Sequence, residues 1–370
     1  MSNKRILIIA NHSDWLYNLR FELIQSLIAN NYDVIFSVPQ SENDPKVHLM
    51  VEVGAEHIQT NLNSRGTNPF EDLMVIRHYR KLLSIVDPDI VLTYTIKPNI
   101  YGTYVASKMG KPVLVNLTGV GSSFFGNKLG YLVRKMYKRA CDRATIVFFQ
   151  NKGNLDFFTE SNMVDPNKVR LIPGSGVNLD KFQPMKKTNK DDGITRFLYI
   201  GRIMKDKGIE EYLDAANWIT EQYPNTEFQI LGSYEEEQYR ELIENNPRVK
   251  YLGRSNDVRE QIREADCIVH PSYHEGMSNV LLEGAAMGKP LLASNIPGCK
   301  EIVDNGLNGY LFESKSVDSM VEKIRLFLAL NAEQRMEMGL ASRRKVEKEF
   351  DRNLVVEAYL QAISEIIDRK

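Results

Sequence analysis

The chain has 370 residues, 43% hydrophobic and 26% charged, with a net charge of -1. That length exceeds what one ordinary core serves, so two domains are expected. The near-neutral balance argues against nucleic acid as a partner and leaves any anionic partner to a local patch. Cys141, Cys267 and Cys299 are odd in number and far apart, which excludes a disulfide framework or a metal-ligand spacing and fits a reducing compartment. Lys4 and Arg5 precede an apolar run at 6–10 that is too short for a signal-peptide core and reads as a first buried strand. No run approaches ~18 apolar residues, so no membrane span is expected.

Short, β-branched-rich runs at 5–10, 34–38, 90–95, 113–117 and 146–150 alternate with amphipathic segments. After a polar stretch the pattern restarts at 197–201, 227–231, 249–252, 267–270, 291–293 and 310–312. This alternation predicts parallel sheets covered by helices: an α/β chain of two Rossmann-like, doubly wound domains facing a cleft. The aperiodic run 186–193 sets the boundary, giving domains at 1–185 and 186–350. A C-terminal helix at 351–370 is able to return to the first domain. In such sheets ligands bind beyond the carboxyl ends of the strands.

In the first half, the turn after the first strand holds His12, Asn18 and Arg20. These residues either face the cleft or make local hydrogen bonds, and the sequence leaves both open. Asp87-Pro88-Asp89 has the form of a metal-binding D-x-D, but it precedes its strand, at the wrong end for a ligand. It is read as structural, and no metal site is expected. "TIKPN" follows a strand and offers Lys97 and Asn99 to an acceptor phosphate. Gly119 and Gly121, in "VNLTGVGSSFFG", mark a candidate cleft wall, and the polar loops 39–46 and 65–69 lie on the same side. The segment 128–143 carries six basic residues and one acid, interleaved with leucines and tyrosines. Such a helix suits an anionic membrane surface as well as a solvated face.

In the second half, "YIGRIMKDKG" ends a strand at Gly201 and then places Arg202 and Lys207 at a strand–helix junction. A guanidinium fork and an ammonium point charge there suit a diphosphate. Gly232 and Gly253 close two further strands, and Arg254 follows the second, either beside a base or on the surface. "YHEGMSNVLLEG" sets Glu275 and Glu283 eight positions apart. On one helix they would stand roughly 12 Å apart along the axis, too far for a shared proton and suited to two parts of one extended ligand. Gly276 lets the backbone approach closely. The amides near Met277, Ser278, Asn279 and Val280 then form a helix N-terminus that suits phosphate. A capping role for Glu275 and a solvated Glu283 are the competing reading, and spacing alone leaves the two level.

The order Gly-Arg-x4-Lys-Gly, Glu-Gly-x6-Glu and "GKPLLASNIPGCKEIVDNGLNGYLF" resembles the family 4 glycosyltransferases of the GT-B fold. The likeness spans nearly the whole chain and is most specific from Gly201 to Phe312. "VLTYTIKPNIYGTYVASKMGKPVLVNLTGVGSSF" is further similar to bacterial members that build capsule, O-antigen, exopolysaccharide or lipid-linked oligosaccharide. The resemblance implies that Arg202 and Lys207 bind the donor diphosphate and stabilise the leaving charge. It implies that Glu275 contacts the donor sugar, that Glu283 takes the ribose hydroxyls, and that amides at 278–280 hold phosphate or sugar. It further implies retention of anomeric configuration without a metal or other cofactor. Many family members carry a Gly-Gly pair in the first loop and a His after a middle strand of the first domain. This chain has neither, so no catalytic His is carried over.

The expectation is therefore a hexosyl- or N-acetylhexosaminyltransferase. It takes a nucleotide sugar, expected to be a UDP-sugar, as co-substrate and a lipid-linked glycan as acceptor, and works in the cytoplasm on the inner face of the membrane. Two alternatives stay open: a UDP-sugar 2-epimerase-like enzyme on the same fold, and a non-catalytic nucleotide-sugar-binding scaffold.

Overall fold

The computed structural model describes residues 3–60, 69–119, 124, 128–188 and 192–368. The chain divides into two compact units. One joins Met1–Ser175 to Arg352–Lys370, and the other is Gly176–Asp351.

The first unit holds a seven-stranded sheet of β1 (Arg5–Ile9), β2 (Asp33–Ser37), β3 (Glu56–His57), β4 (Ile90–Tyr94), β5 (Val113–Leu117), β6 (Ile146–Phe149) and β7 (Val169–Leu171). Its order is β3-β2-β1-β4-β5-β6-β7, with every pairing parallel. The central strands are buried on both faces, which is why they read as continuous apolar runs rather than alternations. Helices Ser13–Ala29 and Arg352–Ile367 pack on one face; Pro69–Val86, Thr103–Lys108 and Lys128–Arg143 pack on the other. The C-terminal helix thus belongs to the first unit. Arg352 Nη1 anchors it, donating to Asn18 O at 2.7 Å and to Glu22 Oε2 at 2.9 Å.

The second unit holds six strands: β8 (Thr195–Ile200), β9 (Thr226–Leu231), β10 (Val249–Tyr251), β11 (Cys267–His270), β12 (Leu291–Ser294) and β13 (Gly309–Phe312). The order is β10-β9-β8-β11-β12-β13, again parallel throughout. Helices Asn279–Ala286 and Ala332–Glu349 pack on one face, Ile209–Gln222 and Val317–Leu328 on the other. In each sheet the strand order reverses once, between β1 and β4 and between β8 and β11. A crevice opens beyond the strand ends at such a point.

Two details differ from the sequence reading. β3 and β7 are short edge strands whose exposed residues make no apolar run. The division falls at Ser175/Gly176, ahead of the polar run. Val177 and Phe182 already lie in the second unit's core, and the Val177 amide donates to Phe350 O at 2.8 Å. Thr188, in that run, donates Oγ1 to Glu264 Oε1 of the second unit at 2.7 Å. No helix among the described residues is long and apolar enough to cross a membrane.

Candidate active site

The second unit's reversal point gathers the charged residues. β8 runs into Gly201, and β9 into Gly232. A Cβ on Gly232 would lie 1.7 Å from the Gly201 carbonyl oxygen, so only glycine lets the two strand exits close on one another. Arg202 leaves this junction exposed, its Nη1 3.9 Å from Glu235 Oε2. A single 3-10 turn, Lys205–Lys207, then ends at Gly208, which has φ +70°. A Cβ there would meet the Pro271 carbonyl oxygen at 2.2 Å, and the Tyr273 amide donates to Asp206 O at 3.0 Å. The turn is therefore pressed against the exit of β11, and Lys207 points at the residues that follow that strand.

There Lys207 Nζ lies 2.6 Å from Glu275 Oε1 and 3.4 Å from Ser272 Oγ. His270, the last residue of β11, brings Nε2 to 3.0 Å from the same oxygen. The other carboxylate oxygen, Oε2, takes no hydrogen bond from the described residues. Burial alone would push this carboxyl up. The hydrogen bond from His270 and then the Lys207 charge outweigh it and hold the group well below the usual carboxylate range. Two donors thus pin one oxygen of an ionised carboxylate and leave the other for a ligand.

Glu275 precedes the helix instead of standing on it. The helix is Asn279–Ala286, capped by Ser278, whose Oγ accepts from the Leu281 amide. The axial separation expected for Glu275 and Glu283 on one helix therefore does not apply, because only Glu283 is helical. The helix N-terminus exists, with one amide fewer than expected: Ser278 N–H donates to Gly298 O at 2.9 Å. The amides of Asn279 and Val280 take no acceptor among the described residues. Gly298, at φ +86°, makes this approach possible, since a Cβ on it would meet Gly276 O at 2.7 Å. Met277 is buried in the core beneath, and Gly276 is backbone in the same turn. Arg254 is exposed, just after Gly253, whose carbonyl accepts from the Gly232 amide at 2.8 Å.

Sequence comparison meets this geometry. Residues 180–345 match the family model described as glycosyl transferases group 1, and residues 5–151 match that of glycosyl transferase 4-like proteins. The chain belongs to the family 4 glycosyltransferases of the GT-B fold. It is 26% identical to the N,N'-diacetylbacillosaminyl-diphospho-undecaprenol alpha-1,3-N-acetylgalactosaminyltransferase of Campylobacter jejuni, over 98% of this chain and 99% of that one. It is 28% identical to the UDP-Gal:alpha-D-GlcNAc-diphosphoundecaprenol alpha-1,3-galactosyltransferase of Escherichia coli, over 77% and 80%. The crystal structure of a glycosyltransferase from Rickettsia africae shares the fold at a TM-score of 0.81, with 21% identity and full coverage of both chains.

The glycosyltransferase's first unit places the residues expected on the acceptor side less uniformly. His12 is exposed and caps its helix, Nδ1 accepting from the Asp14 amide at 3.2 Å. Arg20 is a core residue, 1% exposed. Its guanidinium stands 5.5 Å from the Trp15 ring, 5.1 Å from Tyr94 and 5.6 Å from Tyr359. A cation enclosed in this way does not face a ligand. Lys97 is buried 3.4 Å from Asp72, and Asn99 Nδ2 donates to Asn116 O at 2.8 Å. Both therefore brace the end of β4. Gly119 leaves β5 at φ +143°, and Gly121 lies outside the described residues. Asp89 Oδ2 accepts from the Arg5 amide at 3.0 Å, and Asp87 Oδ1 from Lys111 Nζ at 2.6 Å, so both carboxylates have structural partners. Among the described residues no group of three or more His, Cys, Asp or Glu could hold a metal ion. His270 is the one member of the charged cluster that the sequence reading missed. Its signal is a His closing an apolar strand immediately before Pro271.

Proposed function

We propose that this glycosyltransferase moves a hexose or N-acetylhexosamine from a UDP-sugar to a lipid-linked glycan, with retention, in the synthesis of a capsule, O-antigen or exopolysaccharide. The observation that carries the donor site is the carboxylate of Glu275, pinned through one oxygen and open at the other, beside a cation and a helix N-terminus. Arg202, Lys207 and the amides of Asn279 and Val280 take the diphosphate. Glu275 Oε2 accepts from sugar hydroxyls, and Glu283 takes the ribose. As the C1–O bond to the diphosphate breaks, the new charge falls on oxygens already faced by these preorganised donors, with no metal required. The C1–O bond to the acceptor forms, and the acceptor's proton leaves on the diphosphate. Relatives whose names specify diphospho-undecaprenol acceptors, one with a UDP-galactose donor, support the choice of both substrates.

The acceptor is assigned to the first unit, and the basic helix Lys128–Arg143 to the anionic inner face of the membrane. Arg134, Lys135 and Lys138 line a cavity of about 490 Å³ with Tyr131, Phe157, Ser161 and Met163. Cations around apolar walls suit a lipid carrying phosphate.

A thermal-shift panel of nucleotides and nucleotide sugars without added metal tests the donor site. A UDP-sugar is expected to raise the melting temperature by mass action, and Arg202→Ala to lose that shift. No shift with any nucleotide would overturn the donor reading and the nucleotide-sugar-binding scaffold alternative with it.

A further inference from the structure

Lys207 has two anions to serve. It sits 2.6 Å from Glu275 Oε1, yet the donor reading gives it the diphosphate. An ammonium has three donors, and a doubly charged diphosphate competes strongly for them. Glu275 has only 15% of its side chain exposed. A carboxylate so enclosed, on losing its cation, is driven to take a proton or swing away. A protonated Glu275 is a poorer acceptor for sugar hydroxyls.

His270 is placed to prevent this. It is carried on a strand instead of a loop, its side chain is 6% exposed, and its Nε2 reaches the same oxygen as Lys207. Its Nδ1 is buried with no partner among the described residues. The tautomer with the proton on Nε2 gives Glu275 a donor and leaves no buried N–H unmet. Among the described residues, Glu275 also acts on Tyr199 on β8 and Cys299 after β12, and burial pushes both further from ionisation. Tyr199 Oη donates to Arg202 O at 2.9 Å, and Glu301 Oε2 accepts from the Gly298 amide at 2.7 Å. His270 is thus the donor to Glu275 that no diphosphate draws away.

We propose that His270 is a positioning residue: its Nε2–H holds Glu275 Oε1 while Lys207 turns to the donor diphosphate, so that Oε2 stays presented to the sugar. This role rests on the nucleotide-sugar reading of the site.

The test compares His270→Phe, which keeps the bulk without the donor, with His270→Gln, which keeps an N–H. Donor kcat/KM is followed from about pH 5 to 9, together with UDP affinity. The Phe variant is expected to lose about tenfold to a hundredfold in kcat/KM, the size of one hydrogen bond to a charged group. Its acidic limb should move to higher pH, its UDP affinity should fall by less than its kcat/KM, and Gln should restore most of the loss. A Phe variant with the wild-type pH profile and kcat/KM overturns the role of His270 and leaves the donor site standing. Wild-type protein that binds neither UDP nor any UDP-sugar overturns the donor reading and this role with it. If the Phe variant does not fold, the histidine 15N spectrum of the wild type decides: Nε2–H on His270 supports the proposal, and Nδ1–H overturns it.

Discussion

Lys207 Nζ stands 2.6 Å from Glu275 Oε1, joining the turn after β8 to the turn after β11. The first is the 3-10 turn Lys205–Lys207 and the second is loop, and each is held by backbone contacts of the other, through Gly208 against Pro271 and Asp206 against Tyr273. Lys207→Ala is expected to reduce kcat by about 10²- to 10³-fold, the usual effect of removing one preorganised charge from a transition state. Stability should fall as well, though by less than activity, because the side chain is only 20% exposed and its removal leaves the enclosed Glu275 carboxylate with His270 alone. Steady-state rates beside a denaturation midpoint check this. A wild-type kcat would remove Lys207 from the chemistry.

Gly232 gives a second test, of architecture. An alanine there meets backbone, the Gly201 carbonyl oxygen at 1.7 Å, so the two strand exits must part. Gly253, at φ +78° with open space around a Cβ, is the control: alanine there meets only dihedral strain. Gly232→Ala is expected to lower stability by about 3 kcal/mol and to weaken UDP binding. Gly253→Ala should lower stability by about 1–2 kcal/mol. Equal losses in chemical denaturation would mean that the Gly201–Gly232 contact yields easily and does not shape the site.

How far the sequence carried these conclusions depends on what each residue needs to be understood. β1, β4, β8 and β11 were legible because strands buried on both faces must be apolar throughout. β3 and β7 were not, since edge strands draw their order from neighbours. Lys207 and Glu275 lie in motifs the sequence shows separately, and their contact comes from the two strand exits packing together, while Arg202 stands beside Glu235. The start of the helix at Asn279 was legible only as a region, because Ser278 and Gly276 both allow a beginning. His270 needed the loop to fold back over five residues, which no periodicity reports. Arg20 had a signal that was passed over: it shares the helical stripe of Leu16, Leu23, Ile24 and Leu27, all buried.

That stripe leads to a third prediction. Arg20 is enclosed by three aromatic rings, its Nη1 donates to Leu19 O, and its Nε and Nη2 have no partner among the described residues. A buried cation held by ring faces and one carbonyl gains little over an apolar group of similar shape. Arg20→Met is expected to leave stability within about 1 kcal/mol of wild type or to raise it, and to leave transfer activity intact. Activity lost in a fully folded Arg20→Met protein would return the residue to the acceptor side.

The basic helix allows a sharper membrane test than neutralising it whole. Lys135 and Lys138 line the cavity beside Phe157 and Met163, whereas Arg139 and Arg143 are exposed on the same helix and do not. Diffuse attraction to an anionic surface counts charges, at about 1 kcal/mol each. It therefore weakens Lys135→Gln/Lys138→Gln and Arg139→Gln/Arg143→Gln alike, by about thirtyfold each. A cavity that seats a phosphate-bearing headgroup makes the first pair lose more, and the excess should persist when salt screens the diffuse part. Co-sedimentation with anionic and with neutral liposomes, at low and high salt, separates the cases. Equal losses would leave only a charged surface, and no loss in either pair would take the membrane away from this helix.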